Sequence, residues 1–261
     1  MTPGFDLFAP QAGDALVLTG TRITGLMLVA PSLSSLIVPV RVRAGLVVAL
    51  TLLLTPVAFA AQRLPHITAQ ALASELLIGF ALGLGASILV GAAEQAGDAM
   101  AVQMGLSGIA ILDPTAPEPL PVIGSFLRLF AITLMLTLNL HTVMIGTLGD
   151  SLRAVPLGSA PALANGINEM LKMGATMFAL GVRFAAPVIA VILIVNVSLA
   201  VLGRAAPQLN VLSVAFPMQI AAGLFALAAA LPAMAYFFGG WDSVYHSMVA
   251  RAVGGFTFVA R

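Results

Sequence analysis

The stretch Glu75–Gln95, ELLIGFALGLGASILVGAAEQ, decides what kind of fold this chain can adopt. Residues 76–93 carry no charge. At 1.5 Å per residue, about 20 such residues cross the roughly 30 Å hydrocarbon core of a bilayer. Within the run, Glu75, Gly79, Gly83, Ser87, Gly91 and Gln95 share one row at four-residue spacing, and its four middle members are Gly or Ser. Rows of small residues let helix backbones approach closely in a membrane. Gly79, Gly83, Ser87 and Gly91 are therefore candidate packing residues, set either against another helix of this chain or against another subunit.

Six segments approach bilayer length: roughly 15–38, 44–61, 72–93, 126–149, 173–203 and 211–238. The composition agrees. Of 261 residues 60% are hydrophobic and 8% charged, against about 25% charged in ordinary soluble domains. The expectation is an all-α membrane protein of about six apolar, partly kinked helices forming a single integral membrane domain over residues 1–261. Pro207, Pro217 and Pro232 are expected to divide the uncharged run 205–241, because proline lacks a backbone donor. Residues 94–125 read as a central polar loop with Glu94, Asp98, Asp113 and Glu118, closing on the proline-rich DPTAPEPLP. The N-terminal MTPGFDLFAPQAGD lacks the basic region of a cleavable signal peptide. Arg41 and Arg43 oppose the basic tail Arg251 and Arg261 if all six segments span, so the positive-inside signals conflict.

Function classes narrow from the same numbers. A net charge of +1 gives no reason to expect nucleic acid, and the absence of cysteine removes thiol catalysis, disulfides and cysteine-ligated metal. Arg22 and Arg183 fall inside apolar segments, where a charge costs about 2.5–3.5 kcal/mol on insertion scales and so faces protein or water. A six-helix transporter would use them as substrate or ion sites, but no accompanying intramembrane acids are evident, and Arg183 lies in the turn whose carbonyl Pro187 frees. The run Gly105-Leu106-Ser107-Gly108 has the form of the rhomboid serine-protease motif, with His141 or His246 as a nominal base. It leads into an acidic, proline-rich loop instead of an apolar helix. His66 and His141 have no metal-ligand spacing, and no metal or cofactor is expected.

The stretch 202–219, LGRAAPQLNVLSVAFPMQ, sets an arginine, two glutamines, an asparagine and two prolines between apolar runs. Its preceding helix should end near 203–206, because Ala206 precedes Pro207. Asn210 is then the expected N-cap of the next helix, and Arg204 is placed to meet the last carbonyls of the first. Gln208 and Gln219 call for partners beyond this turn.

These residues resemble a known family. Arg204-Ala-Ala-Pro207-Gln208-Leu-Asn210-Val, followed by Ala215-Phe216-Pro217-Met218, resembles the "NRAAPQ-N-V…GFPLK" signature of the FliR family and its SctT-type secretion relatives. Gln103-Met104-Gly105-Leu106-Ser107 with Asp113-Pro114 resembles the family's central loop, Asn139-Leu-His141 its "NGH" triplet, and Asp150-Ser-Leu-Arg153-Ala-Val-Pro156-Leu-Gly158 its "DSFR-LP-G" element. Departures are Ala215 for glycine, Gln219 for lysine, Leu140 within the triplet, and aliphatic residues where the loop usually carries aromatics.

The resemblance implies a non-enzymatic subunit of the flagellar type III export gate in the bacterial inner membrane, at the flagellar basal body. Its helices would form hairpins within a helical hetero-oligomer. Implied partners are FliP-like and FliQ-like subunits, FlhB-like and FlhA-like export components, unfolded secreted proteins as cargo, and membrane lipid. The loop residues Met104, Gly105, Leu106, Ser107, Ile109, Ile111, Leu112, Asp113 and Pro114 would plug the channel. Arg204, Pro207, Gln208, Asn210, Phe216 and Pro217, with the small-residue row, would pack against other subunits.

Overall fold

The computed structural model describes residues 12–31, 38–61, 67–106, 122–159, 163–206, 208 and 210–257. Among them are eight α-helices and no strand: α1 (Ala12–Val29), α2 (Val40–Ala61), α3 (Ala69–Gln103), α4 (Val122–Thr137), α5 (Leu140–Ala154), α6 (Leu163–Ala205), α7 (Val211–Gly239) and α8 (Trp241–Thr257). By length and composition α1, α2, α3, α6 and α7 can each cross a membrane, and α4 with α5 can supply a sixth, broken span. The helices fall into two compact units. One holds α1, α2, α3 to Ile88, α5, α6 to Ala175 and α8; the other holds α3 from Leu89, α4 to Leu134, α6 from Thr176 and α7.

In the first unit α1 packs along α2, and α5 contacts α2 and α8. The Thr68 hydroxyl accepts the Ala71 N–H at 3.1 Å and so caps the start of α3. α1 and α3 cross at glycines. A Cβ on Gly79 would overlap the Arg22 carbonyl oxygen, one on Gly25 the Leu76 carbonyl, and one on Gly83 would lie 2.6 Å from the Leu26 carbonyl. At Gly79 and Gly83, then, the small-residue row faces α1 of the same chain. Gly85, two positions past Gly83 and off the row, faces Tyr245 and Val249 of α8. Tyr245 and Trp241 are buried, and the Tyr245 hydroxyl donates to the Leu82 carbonyl at 3.2 Å.

In the second unit Gly97 of α3 meets Gly124 of α4, where a Cβ on Gly97 would lie 2.7 Å from the Gly124 Cα. Beside this contact Arg128 pairs with Glu94 at 3.3 Å. Gly91 faces the Met177 side chain, and the Ser87 hydroxyl of the first unit bonds its own helix at Leu84. α6 and α7 form an antiparallel hairpin. Within it the Gln219 amide donates to Asn196 Oδ1 at 2.6 Å, and Phe184 meets Phe237 edge-on at 5.2 Å.

Four expectations change. The polar connection begins later than residue 94, because α3 stays helical through Glu94 and Asp98 to Gln103. Glutamate is itself a good helix former, Arg128 pairs with Glu94, and the close approach at Gly97 and Gly124 packs the same stretch of α3. The segment 126–149 is two helices, broken where Asn139 adopts the left-handed φ of 56°. Pro217 and Pro232 do not divide α7, which runs on through both; membrane helices tolerate such prolines where neighbours and local adjustment satisfy the freed carbonyls. The C-terminal helix α8 lacks a long apolar run and was outside the six expected segments.

Large apolar side chains stand free on α2, α6 and α7, among them Leu53, Phe178, Ile194 and Phe225, each more than 60% exposed within the chain. Large exposed apolar side chains of this kind belong against lipid or another chain. The α1–α3 seam makes a direct prediction. Gly79→Leu forces two backbones apart and should destabilise the protein by about 3 kcal/mol or more, seen as a lower unfolding temperature in mild detergent. Phe80→Leu, on the neighbouring 36%-exposed position, should unfold within a degree or two of wild type. Equal stability of Gly79→Leu and wild type would contradict the seam.

Candidate functional site: a buried arginine clamp and the root of the central loop

Arg22 lies near the middle of α1 and Glu75 near the start of α3, and both side chains are fully buried. Arg22 Nε donates to Glu75 Oε2 at 2.6 Å. Nη1 donates to the Ser151 carbonyl at 2.9 Å and to its hydroxyl at 3.3 Å, and Nη2 donates to the Val155 carbonyl at 3.1 Å. The second carboxylate oxygen, Oε1, accepts the Gly158 N–H at 2.7 Å. One guanidinium thus fastens α1 to α3 and to the C-terminal end of α5, whose last carbonyls carry the negative end of the helix dipole. Gly158 has φ 72°, a left-handed conformation that suits glycine and turns its N–H toward Glu75. The chain segment Ser151–Gly158 is the receptacle for the ion pair.

This arrangement overturns the expectation that Arg22 has no intramembrane acid. Glu75 is that acid, 53 residues away and already conspicuous at the head of the small-residue row. With all three guanidinium nitrogens engaged, Arg22 is not free to bind a transported ion. Arg183 differs: it is exposed on α6 in the other unit and has no hydrogen-bond or ion-pair partner among the described residues.

In the second unit the end of α3 is seated on α7. Met104 is fully buried, and a Cβ on Gly223 would lie 2.6 Å from the Met104 Cε, so the thioether fills a notch that glycine leaves open. Gly105 takes φ 77°, its N–H bonds the Val102 carbonyl at 3.1 Å, and a Cβ there would sit 3.0 Å from the Phe216 ring. Phe216, Gln219 and Gly223 share one face of α7 by their spacing. Gln219, expected to need partners beyond its hairpin, is satisfied inside it by Asn196. Leu106 is half-buried, whereas Ser107, Ile109, Ile111, Leu112, Asp113 and Pro114 lie outside the described residues, as does Pro207.

The turn between α6 and α7 is less self-contained than the sequence implied. α6 ends at Ala205, inside the expected range, and α7 begins after Asn210. Yet the Asn210 side chain makes no capping bond; its carbonyl instead accepts the Ser213 N–H at 3.1 Å and hydroxyl at 2.7 Å. Arg204 is exposed and makes no hydrogen bond to the last carbonyls of α6 among the described residues, and Gln208, Phe216 and Pro217 are exposed as well. His246 pairs with Asp242 at 3.3 Å on α8, while His141 Nδ1 is buried without a partner. Burial pushes the Tyr245 hydroxyl above the ordinary tyrosine range, so it stays protonated as the donor to Leu82. Among the described residues no three His, Asp or Glu side chains cluster as a metal site. The contacts present do mechanical work: a clamp, a notch and a hairpin bond.

Such a chain belongs to the class of multi-span helical membrane proteins whose interior charge is used to hold helices together. The family model for bacterial export proteins, family 1, matches residues 14–241, and the chain belongs to that family. It is similar to the flagellar biosynthetic protein FliR of Escherichia coli, with 33% identity over 219 residues that cover 83% of this chain and 84% of the relative. The FliR of Pectobacterium carotovorum is 33% identical over 81% of this chain and 82% of its own length. That of Caulobacter vibrioides is 27% identical over 87% and 91%.

Removing one partner of a buried ion pair costs about 3–5 kcal/mol, whereas replacing both by apolar residues can be neutral. Arg22→Ala or Glu75→Ala should each sharply lower the unfolding temperature in detergent. Arg22→Met combined with Glu75→Leu should recover much of the loss. Additive single effects, with no recovery in the double variant, would show that the two side chains act independently.

Proposed function

We propose that this chain is a non-enzymatic membrane subunit of the flagellar type III protein-export gate, where it helps form and close the channel for secreted flagellar proteins. The observation that carries this reading is likeness over most of the chain to flagellar biosynthetic FliR proteins. The physical features agree with it. Apolar faces on α2, α6 and α7 exceed what a lone chain covers, and the exposed Arg204, Gln208 and Asn210 form a polar turn with bonding capacity to spare. FliP-like and FliQ-like subunits in the bacterial inner membrane are the partners this surface would meet. FlhB-like and FlhA-like components would adjoin them in the basal body.

In this reading the seat of Met104 and Gly105 on α7 fixes where the central loop departs, and the aliphatic residues Ile109, Ile111 and Leu112 close the pore by excluding water. A narrow apolar constriction gates by dewetting and needs no aromatic ring to do so. Arg204 would contribute charged hydrogen bonds across the subunit boundary, and Pro207, Gln208, Asn210, Phe216 and Pro217 would frame them.

The test is to express this chain in a motile bacterium whose own FliR gene is deleted. Restored secretion of flagellar proteins, and co-purification of FliP-like and FliQ-like subunits, are the expected outcomes. Ile111→Ser with Leu112→Ser should increase leakage of small ions while leaving complex levels normal. Arg204→Ala should lower the amount of intact complex per inserted chain by about tenfold to a hundredfold, since a charged hydrogen bond contributes about 1.5–3 kcal/mol. A chain that neither restores secretion nor recruits these subunits would overturn the reading.

A further inference from the structure

α6 is 43 residues long, or about 64 Å as a helix. A bilayer with its headgroups is only about 40–45 Å thick, so part of α6 must extend beyond the membrane. Two arginines mark one bilayer-length piece of it. Arg183 and Arg204 bracket a stretch with no charge between them, and their separation of 21 positions corresponds to about 32 Å, close to the hydrocarbon thickness.

Arg183 is the charged residue lining an apolar groove of about 780 Å³ between α6 and α7. Phe184, Pro187 and Val191 form one wall, and Ala229 and Ala233, small residues one turn apart on α7, leave the groove open along its length. Tyr236, 88% exposed, stands at the Arg183 end. Arginine and tyrosine together are the residues that anchor helices at a membrane–water interface.

An arginine with no partner among the described residues, at one end of a long apolar groove, matches a ligand with an anionic head and an apolar tail. We propose that this groove binds an anionic phospholipid, its phosphate held by Arg183 beside Tyr236 and an acyl chain lying along Ala229 and Ala233. Charge complementarity selects the occupant. A neutral helix or chain in the groove would leave the guanidinium unpaired in an apolar setting, whereas a phosphate takes its planar fork. The groove is read from the hairpin alone, and its test uses the membrane complex that the proposed function implies.

The test uses the complete membrane complex containing this chain, extracted in mild detergent and washed. Retained lipid is counted by mass spectrometry, before and after addition of phosphatidylglycerol or phosphatidylcholine vesicles. Wild type should retain phosphatidylglycerol in preference to phosphatidylcholine. Arg183→Ala should lower its retention by about tenfold, the loss of one charged hydrogen-bonding group, and Arg183→Lys should keep part of it. Ala233→Leu, which narrows the groove without touching the charge, should also lower it. Unchanged phosphatidylglycerol in both Arg183→Ala and Ala233→Leu would overturn the proposal. So would a loss of partner subunits from Arg183→Ala with lipid unaffected, which would make the occupant an acidic helix of another protein.

Discussion

The bond between Arg22 and Glu75 is the constraint around which the first unit is organised. It joins α1 to α3 directly and reaches the end of α5 through Ser151 and Val155, with Gly158 completing the carboxylate. Ion pairs of this kind are poor sources of net stability, because desolvating both charges offsets most of their attraction. Their stronger effect is on alternatives. Any arrangement that slides α1 along α3 leaves two buried charges unpaired, so the register of the helices is chosen by the cost of every other register. The glycines act on the same seam. Gly25, Gly79 and Gly83 bring the backbones close enough for the short reach of the Arg22–Glu75 bond, and the bond holds the glycines in line.

The second unit relies on shape more than charge. Met104 enters the space left by Gly223, Gly105 turns under the ring of Phe216, and Gln219 ties α7 to Asn196 of α6. Gly97 and Gly124 repeat the close approach between α3 and α4. A thioether suits such a notch because its three rotatable bonds let it fill an irregular gap. These contacts give the end of α3 a defined seat, and with it the point from which the following residues depart.

Much of this was legible in the sequence, and the reasons for the gaps are physical. Apolar length announced the membrane helices, and the Gly/Ser row announced a packed face, since both signals are local. The end of α6 at Ala205 followed from the restriction that Pro207 places on its predecessor. The partner of Arg22 was not legible, because nothing local links positions 22 and 75 until the helices cross. The choice between an internal and an external partner for Gly79 was open for the same reason. The missing proline donor pointed to breaks in α7, but the helix continues through Pro217 and Pro232. Helix α8 was missed because its apolar residues serve one side only, and a search for bilayer-length runs passes over such a pattern. At Asn210 the residue type suggested a side-chain cap, but the backbone carbonyl does the work with Ser213.

The buried clamp also has a consequence for how the chain is made. α1 is the least apolar of the five bilayer-length helices, with a mean hydropathy of 1.2, and it carries an arginine whose insertion alone costs about 2.5–3.5 kcal/mol. During synthesis its carboxylate partner emerges 53 residues later, and the carbonyls of Ser151 and Val155 later still. The first helix is thus born with a debt to the third and fifth, and its place in the lipid becomes secure only when they arrive. A nascent chain ending before Glu75 should hold α1 in the bilayer less firmly than one extending past Gly158, so the order of translation is part of how this fold is reached.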